Sequence, residues 1–244
     1  MWQRPVPFGR DARQTRPMAA ARDVVTVSGA DARRYLHSQV SQDVQSLDSG
    51  ESRWTFVLAP NGKVDALARI RCIDDERFEL DTDPGFGDAL AARLLRFKIR
   101  VAVDVAQATA VVGDDLVGWW GTTAPVSEDP ADRVAAGWPA MGSEIVPGDT
   151  IPAETGITSV AVNFTKGCYP GQELVERMDS RGAAAPRSLR ILDVGAGAAA
   201  GDDIVDPASG DVVGTLTTVA GQRALGYVRR GSAVGEPVGP PSSS

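Results

Sequence analysis

Lys166-Gly167-Cys168-Tyr169-Pro170-Gly171-Gln172-Glu173 is the most informative run of this 244-residue chain. It leads into Leu174-Val175-Glu176-Arg177-Met178, so Gly171 to Met178 reads as a short helix with Pro170 in its first turn and Gly182 beyond its end. Cys168 then stands just ahead of a helix N-terminus, where the macrodipole favours an anion. Lys166 adds a positive charge two residues away, and these are the usual surroundings of a reactive cysteine. A buried structural cysteine in a turn is the competing reading. The flanking Gly, Tyr and Pro describe a shaped loop and favour reactivity or ligand contact. Glu173 reads equally well as a plain helix-start carboxylate.

Composition narrows the function classes. Net charge is −7 with a pI near 4.8, which argues against a nucleic-acid or anionic-membrane surface. No run reaches the roughly 18 apolar residues of a membrane span. With two cysteines, Cys72 and Cys168, a disulfide framework is not expected, and a reducing cytoplasm is the better compartment. One histidine and no Cys/His cluster disfavour a protein-held metal, and no Ser/His/Asp triad can be assembled. Only three of 25 basic residues are lysine: Lys63, Lys98 and Lys166. A chain that otherwise uses arginine keeps lysine where a compact ammonium matters, or by chance.

Outward from the central run, Arg22 to Val27 alternates as a strand, and Ser28-Gly29-Ala30-Asp31 resembles a capping box for a helix to Val40. That helix would bury Ala32, Tyr35, Leu36 and Val40 and leave His37 solvated. Strands follow at 53–58, 64–73 and 77–80, with Pro60-Asn61-Gly62 as a turn and Ala66, Ala68, Ile70 and Cys72 on one face. Asp83-Pro84 starts a helix to Phe97 with Phe86, Leu90, Leu94 and Phe97 on one stripe, and 99–105 returns as a strand. From Gly113 to Asp132 the pattern weakens into loops. After Pro186, short strands at 189–194, 202–205, 212–219 and 224–229 suggest a small β-barrel. Gly195 to Gly201 lacks the helix and acidic partner of a dinucleotide loop and reads as a barrel turn. The expected organisation is α+β: a mobile arm (1–20), an N-terminal α+β lobe (21–112), a shortened middle lobe (113–185), a barrel (186–234) and a disordered tail (235–244).

Lys166 to Glu173 resembles the K-G-C-Y-x-G-Q-E signature of YgfZ-like proteins, within the glycine-cleavage T-protein (aminomethyltransferase) superfamily. The similarity continues through Arg133 to Pro139, Ile151 to Glu154, Val175 to Arg177 and Arg181-Gly182, and in the first half through Tyr35 to Val44 and Pro60 to Lys63. It spans most of the chain from Arg22 to about Arg230. The resemblance implies a multi-lobed aminomethyltransferase-like folate-binding fold with antiparallel sheets, closing on a small β-barrel. It implies a tetrahydrofolate derivative as ligand, iron–sulfur client or assembly proteins as partners, and a monomer. By the same resemblance Cys168, Lys166 and Tyr169 are the central residues, Arg133 faces the folate's glutamate tail, and Lys63, Gln172 and Glu173 join the ligand-contacting set.

Three function classes follow. The first is a tetrahydrofolate-binding accessory factor for iron–sulfur cluster assembly or repair. The second is an aminomethyltransferase or demethylase passing a one-carbon unit to tetrahydrofolate. The third is a non-catalytic scaffold, which retention of the whole signature disfavours. The transferase branch carries adjacent aspartates in the turn-strand segment, where this chain has Asp65 followed by Ala66. One carboxylate can still polarise an amine, but an efficient aminomethyltransferase is not expected.

Overall fold

The computed structural model describes residues 20–112, 118–119, 122–123, 129–180 and 185–238. The N-terminal arm up to residue 19, Trp120, the Arg181-Gly182 pair and residues 239–244 of the tail lie outside the described residues.

The chain opens with β1 (Ala20–Ser28), α1 (Ala32–Gln39), β2 (Ser52–Leu58), β3 (Val64–Asp74), β4 (Arg77–Thr82), α2 (Gly87–Arg96) and β5 (Asp104–Val112). These strands form one antiparallel sheet in the order β2-β3-β4-β1-β5. A two-residue ladder of β6 (Gly118–Trp119) and β7 (Thr122–Thr123) follows, then α3 (Pro130–Ala136), α4 (Thr158–Ala161) and α5 (Gln172–Ser180). The C-terminal strands β8 (Arg187–Asp193), β9 (Asp203–Val205), β10 (Val212–Ala220), β11 (Arg223–Arg229) and β12 (Glu236–Pro237) make a second, barrel-like sheet in the order β12-β8-β11-β10-β9. The fold is α+β with two antiparallel sheets. No helix among the described residues is long and apolar enough to cross a membrane.

The expected α1 stripe is the observed one: Ala32, Tyr35, Leu36 and Val40 are all buried. It packs with Leu90 and Leu94 of α2 over the face of the first sheet that carries Ala66, Ala68, Ile70 and Cys72. The opposite face is not solvated, as simple alternation would have it, because Leu67 and Arg69 are buried too. The middle segment covers them: the Leu67 N–H donates to Met141 Sδ at 3.2 Å, and the Trp138 ring lies 4.6 Å from that of Trp54. Arg69 and Arg22 reach this dry layer by sharing the Asp81 carboxylate at 2.7 and 2.9 Å.

Several expected boundaries move, each for a local reason. Asp31 does not cap α1 with its side chain; its carboxylate accepts the Ala102 N–H at 2.8 Å and Arg34 at 2.9 Å. Asp83-Pro84 does not start α2, since Asp83 is held by Arg22 and by the Met141 N–H. The helix begins at Gly87, and a remote residue serves its N-terminus: Asp23 on β1 accepts the N–H groups of Gly85 and Gly87 at 2.8 and 2.9 Å. Burial alone would push the Asp23 carboxyl up, but the Gly87 and Gly85 amides outweigh it and hold it below its ordinary value. The strand expected from Ile99 begins only at Asp104, and Ile99 is exposed. Residues 235–238 do not belong to a loose tail: Glu236 and Pro237 pair with Ile191 and Arg190, and Val238 is buried.

Candidate functional site

Two stretches about 120 positions apart fold into one unit. After α1, Val40 forms an isolated bridge with Val57 and the chain turns through Ser41 to Val44. The segment before the signature is stitched to that turn. The Asn163 N–H donates to Ser41 O at 2.9 Å, Ser41 Oγ to Ala161 O at 2.6 Å, and Gln42 Nε2 to Val160 O at 2.9 Å. Asn163 Oδ1 then accepts the N–H groups of Thr165 and Lys166 at 2.9 Å, an Asx turn that aims the lysine back at α1.

Lys166 completes the clamp. Its ammonium donates to His37 O and, at 2.7 Å, to Val40 O, carbonyls at the C-terminal end of α1. Unpaired carbonyls and the negative end of the macrodipole both call for a cation there. The ammonium also lies 4.8 Å from the Tyr169 ring centroid. Burial lowers the lysine pKa to about 8, against the pull of Asp43 and Cys168 in the other direction. Tyr169 is itself buried, and that burial pushes its hydroxyl up to about 12. His37 is not the solvated residue expected from its place on the helix. Its Nδ1 accepts the Val44 N–H at 3.2 Å, and burial, then the Lys166 charge, hold it below its ordinary pKa.

Cys168 is exposed and Cys72 is buried. Burial raises the Cys72 thiol pKa, and its sulfur accepts from Arg33 at 3.3 Å. Cys168 therefore sits on a loop whose two neighbours of chemical weight, Lys166 and Tyr169, point inward while it faces out. The loop's exit is fixed by glycines. Gly171 takes φ +82°, and a Cβ there would stand 2.5 Å from Ala59 O and 2.9 Å from Gly62 Cα. Gly62, at φ +83°, would bring a Cβ to 2.4 Å from Leu174 Cβ. The Pro60 to Lys63 turn thus seats directly on the start of α5.

The other expected site residues each have partners within the chain. Arg133, on α3, donates to Glu144 at 2.5 Å, to Trp138 O at 3.1 Å and to Thr218 Oγ1 at 2.7 Å. Its guanidinium joins the middle segment to β10. Asp65 is paired with Arg93 at 2.9 Å, and Arg93 also donates to Leu58 O at 2.7 Å. Lys63 lies 3.5 Å from Asp149. Gln172 and Glu173 make i, i+4 contacts at 2.5 Å with Glu176 and Arg177 on the exposed side of α5. A cavity of about 440 Å³ lies between residues 143–150 and the second sheet, faced by Glu144, Asp149, Arg187, Tyr227 and Arg229. Among the described residues no group of three His, Cys, Asp or Glu side chains is placed to hold a metal. Ser41 and Asn163 were not singled out in the sequence. For Asn163 the signal was available, since Asn-x-Thr ahead of a glycine loop is an Asx-turn pattern.

Residues 187–239 match the family model described as the CAF17 C-terminal β-barrel domain. An uncharacterised protein of Haemophilus influenzae is 29% identical over 188 residues, covering 66% of this chain and 67% of the relative. Iron–sulfur cluster assembly factor IBA57 homologues, described as mitochondrial, are 23% identical in Phaeosphaeria nodorum and 32% identical in Neurospora crassa. Those alignments cover 74% and 41% of this chain but only 56% and 22% of the relatives' own lengths. The fold is that of glycine cleavage system aminomethyltransferase T from Bartonella henselae, with a TM-score of 0.70, 18% identity, and 88% of this chain and 79% of the other covered. The barrel match and the aminomethyltransferase T fold agree with the resemblance that the signature loop carries.

Proposed function

We propose that this protein supports the assembly or repair of iron–sulfur clusters in client enzymes, with Cys168 as the working thiol and a tetrahydrofolate derivative as its ligand. The observation that carries the reading is the Lys166 clamp: two hydrogen bonds from Lys166 to the end of α1, and three between the segment before the signature and the turn after α1, fix the loop, yet Cys168 is left exposed. A rigid loop that presents a single thiol suits transient contact with a client. The names of the relatives supply the iron–sulfur context. The folate part rests on the resemblance, and the tie of Arg133 to Glu144 weighs against it as the carboxylate partner. The pairing of Asp65 with Arg93 leaves no free carboxylate beside Ala66 and disfavours an efficient aminomethyltransferase.

The test is complementation in cells lacking the protein, reading a [4Fe–4S] dehydratase. Wild type is expected to restore activity, and Cys168→Ser, made to equal abundance, is not. Alkylation of the native wild-type protein should label Cys168 before Cys72, and calorimetry with 5-formyltetrahydrofolate should show saturable binding. Full complementation by Cys168→Ser overturns the role of the thiol. Absence of binding up to about 1 mM folate removes the ligand.

A further inference from the structure

Six large hydrophobic side chains among the described residues are more than a third exposed, and four of them fall at just two places. Leu95 (49%) and Ile99 (70%) stand together where α2 ends. Val205 (49%) and Val212 (52%) are register partners across β9 and β10, so they form one continuous spot. Strand β9 ends the order of the second sheet, with no described strand beyond it. The strand is short, Asp203-Ile204-Val205, and of its apolar side chains Val205 is the exposed one.

The two spots carry opposite charge. Arg96, Lys98 and Arg100 surround Leu95 and Ile99, with Asp104 at 3.9 Å from Lys98 offsetting one of them. Asp202, Asp203, Asp206 and Asp211 surround Val205 and Val212, with Arg229 at 3.6 Å from Asp211 offsetting one. The first is a basic island on a chain of net charge −7, and the second matches it in both charge and apolar content. Both remain exposed, so they do not cover each other within one molecule.

We infer that, against the monomer that the resemblance implies, they cover each other between copies: the end of α2 in one molecule docks on the β9–β10 hairpin of the next. Overall negative charge disfavours contact between like surfaces, and the reversed sign at this island gives the contact its register. Because the two surfaces differ, the contact is heterologous and builds head-to-tail assemblies rather than an isologous dimer. Its small apolar area makes it weak, and its charges make it salt-sensitive. It is independent of the proposed role of Cys168.

Sedimentation of the full chain from about 10 µM to about 1 mM tests this. Weight-average mass is expected to rise with concentration at low salt and to fall to the monomer value in about 0.5 M salt. The pair Arg96→Glu with Lys98→Glu should weaken association roughly tenfold or more, as should Asp203→Lys with Asp211→Lys. All four substitutions together exchange the signs of both surfaces and should restore it. Ile99→Ser, which changes no charge, should also weaken it. A chain that stays monomeric at the highest concentration, or association that survives both reversals, overturns the proposal.

Discussion

Lys166 is pulled two ways: its ammonium has two carbonyls and an aromatic face to satisfy, but it has left water to reach them. Removing it strands His37 O and Val40 O without their donor, so Lys166→Met is expected to cost about 1–3 kcal/mol. Its pKa of about 8 in the folded chain, against 10.5 otherwise, also fixes the sign of a pH effect. Between these values the unfolded chain binds more protons, so stability should rise with pH above about 8. Tyr35 and Tyr169, each raised to about 12 by burial, oppose this only above pH ~10, where the unfolded tyrosines ionise first. Urea titrations near pH 7.5 and 9.5 should show the gain in wild type and lose it in Lys166→Met; equal slopes would refute the assignment. The scarcity of lysine made Lys166 conspicuous in the sequence, but its target did not show there. The carbonyls it caps belong to every residue alike, and only the fold selects two of them across a gap of more than 120 positions.

Helices and turns show the same division between what a local pattern can say and what a distant partner decides. Asp83-Pro84 and Asp129-Pro130 are the same helix-start dipeptide, and only the second is one. Asp129 is exposed and caps Ala131 N–H at 2.9 Å, whereas Asp83 is claimed by Arg22 and by Met141 N–H from outside its own element. The strands were legible because alternation is local, and the strand cores 53–58, 64–73 and 77–80 all lie inside observed strands. The buried Leu67 and Arg69 were not, because a second layer covers the face that alternation assigns to water. The glycines of the signature separate in the same way. Gly171→Ala must place a Cβ at φ +82° against Ala59 O and is expected to cost roughly 2–4 kcal/mol. A Cβ on Gly167 meets nothing within 4 Å, so Gly167→Ala should stay within about 0.5 kcal/mol. Denaturant midpoints of the two variants check the contrast, and equal losses would mean that the Pro60 to Lys63 turn does not hold α5.

One buried carboxylate ties the middle segment to the second sheet. Glu144 is fully buried and accepts from Arg133, from Ala140 N–H at 3.0 Å and from the hydroxyls of Thr217 and Thr218 at 2.7 Å each, while Tyr227 donates to its backbone oxygen at 2.8 Å. The resemblance placed Arg133 at the folate's glutamate tail, where its guanidinium suits a carboxylate. Its partner lies eleven residues ahead, and Thr217 and Thr218 lie more than seventy residues further on, which no local pattern can reveal. Deleting either half of a buried pair leaves the other charge uncompensated, whereas replacing both with apolar residues removes the penalty. Glu144→Met alone is therefore expected to cost about 3–5 kcal/mol, and Arg133→Met somewhat less, since its side chain keeps 15% exposure. The double variant should be more stable than Glu144→Met, giving a coupling energy of about 1–3 kcal/mol in the cycle. Single variants should also loosen the second sheet from the middle segment, because this link to β10 is gone, and two probes, tryptophan fluorescence, which includes the Trp54–Trp138 layer, and far-ultraviolet circular dichroism for the whole, should cease to coincide. If the losses simply add and the two probes still overlay, Arg133 is not held by Glu144 in solution, and a ligand carboxylate regains its claim on that guanidinium.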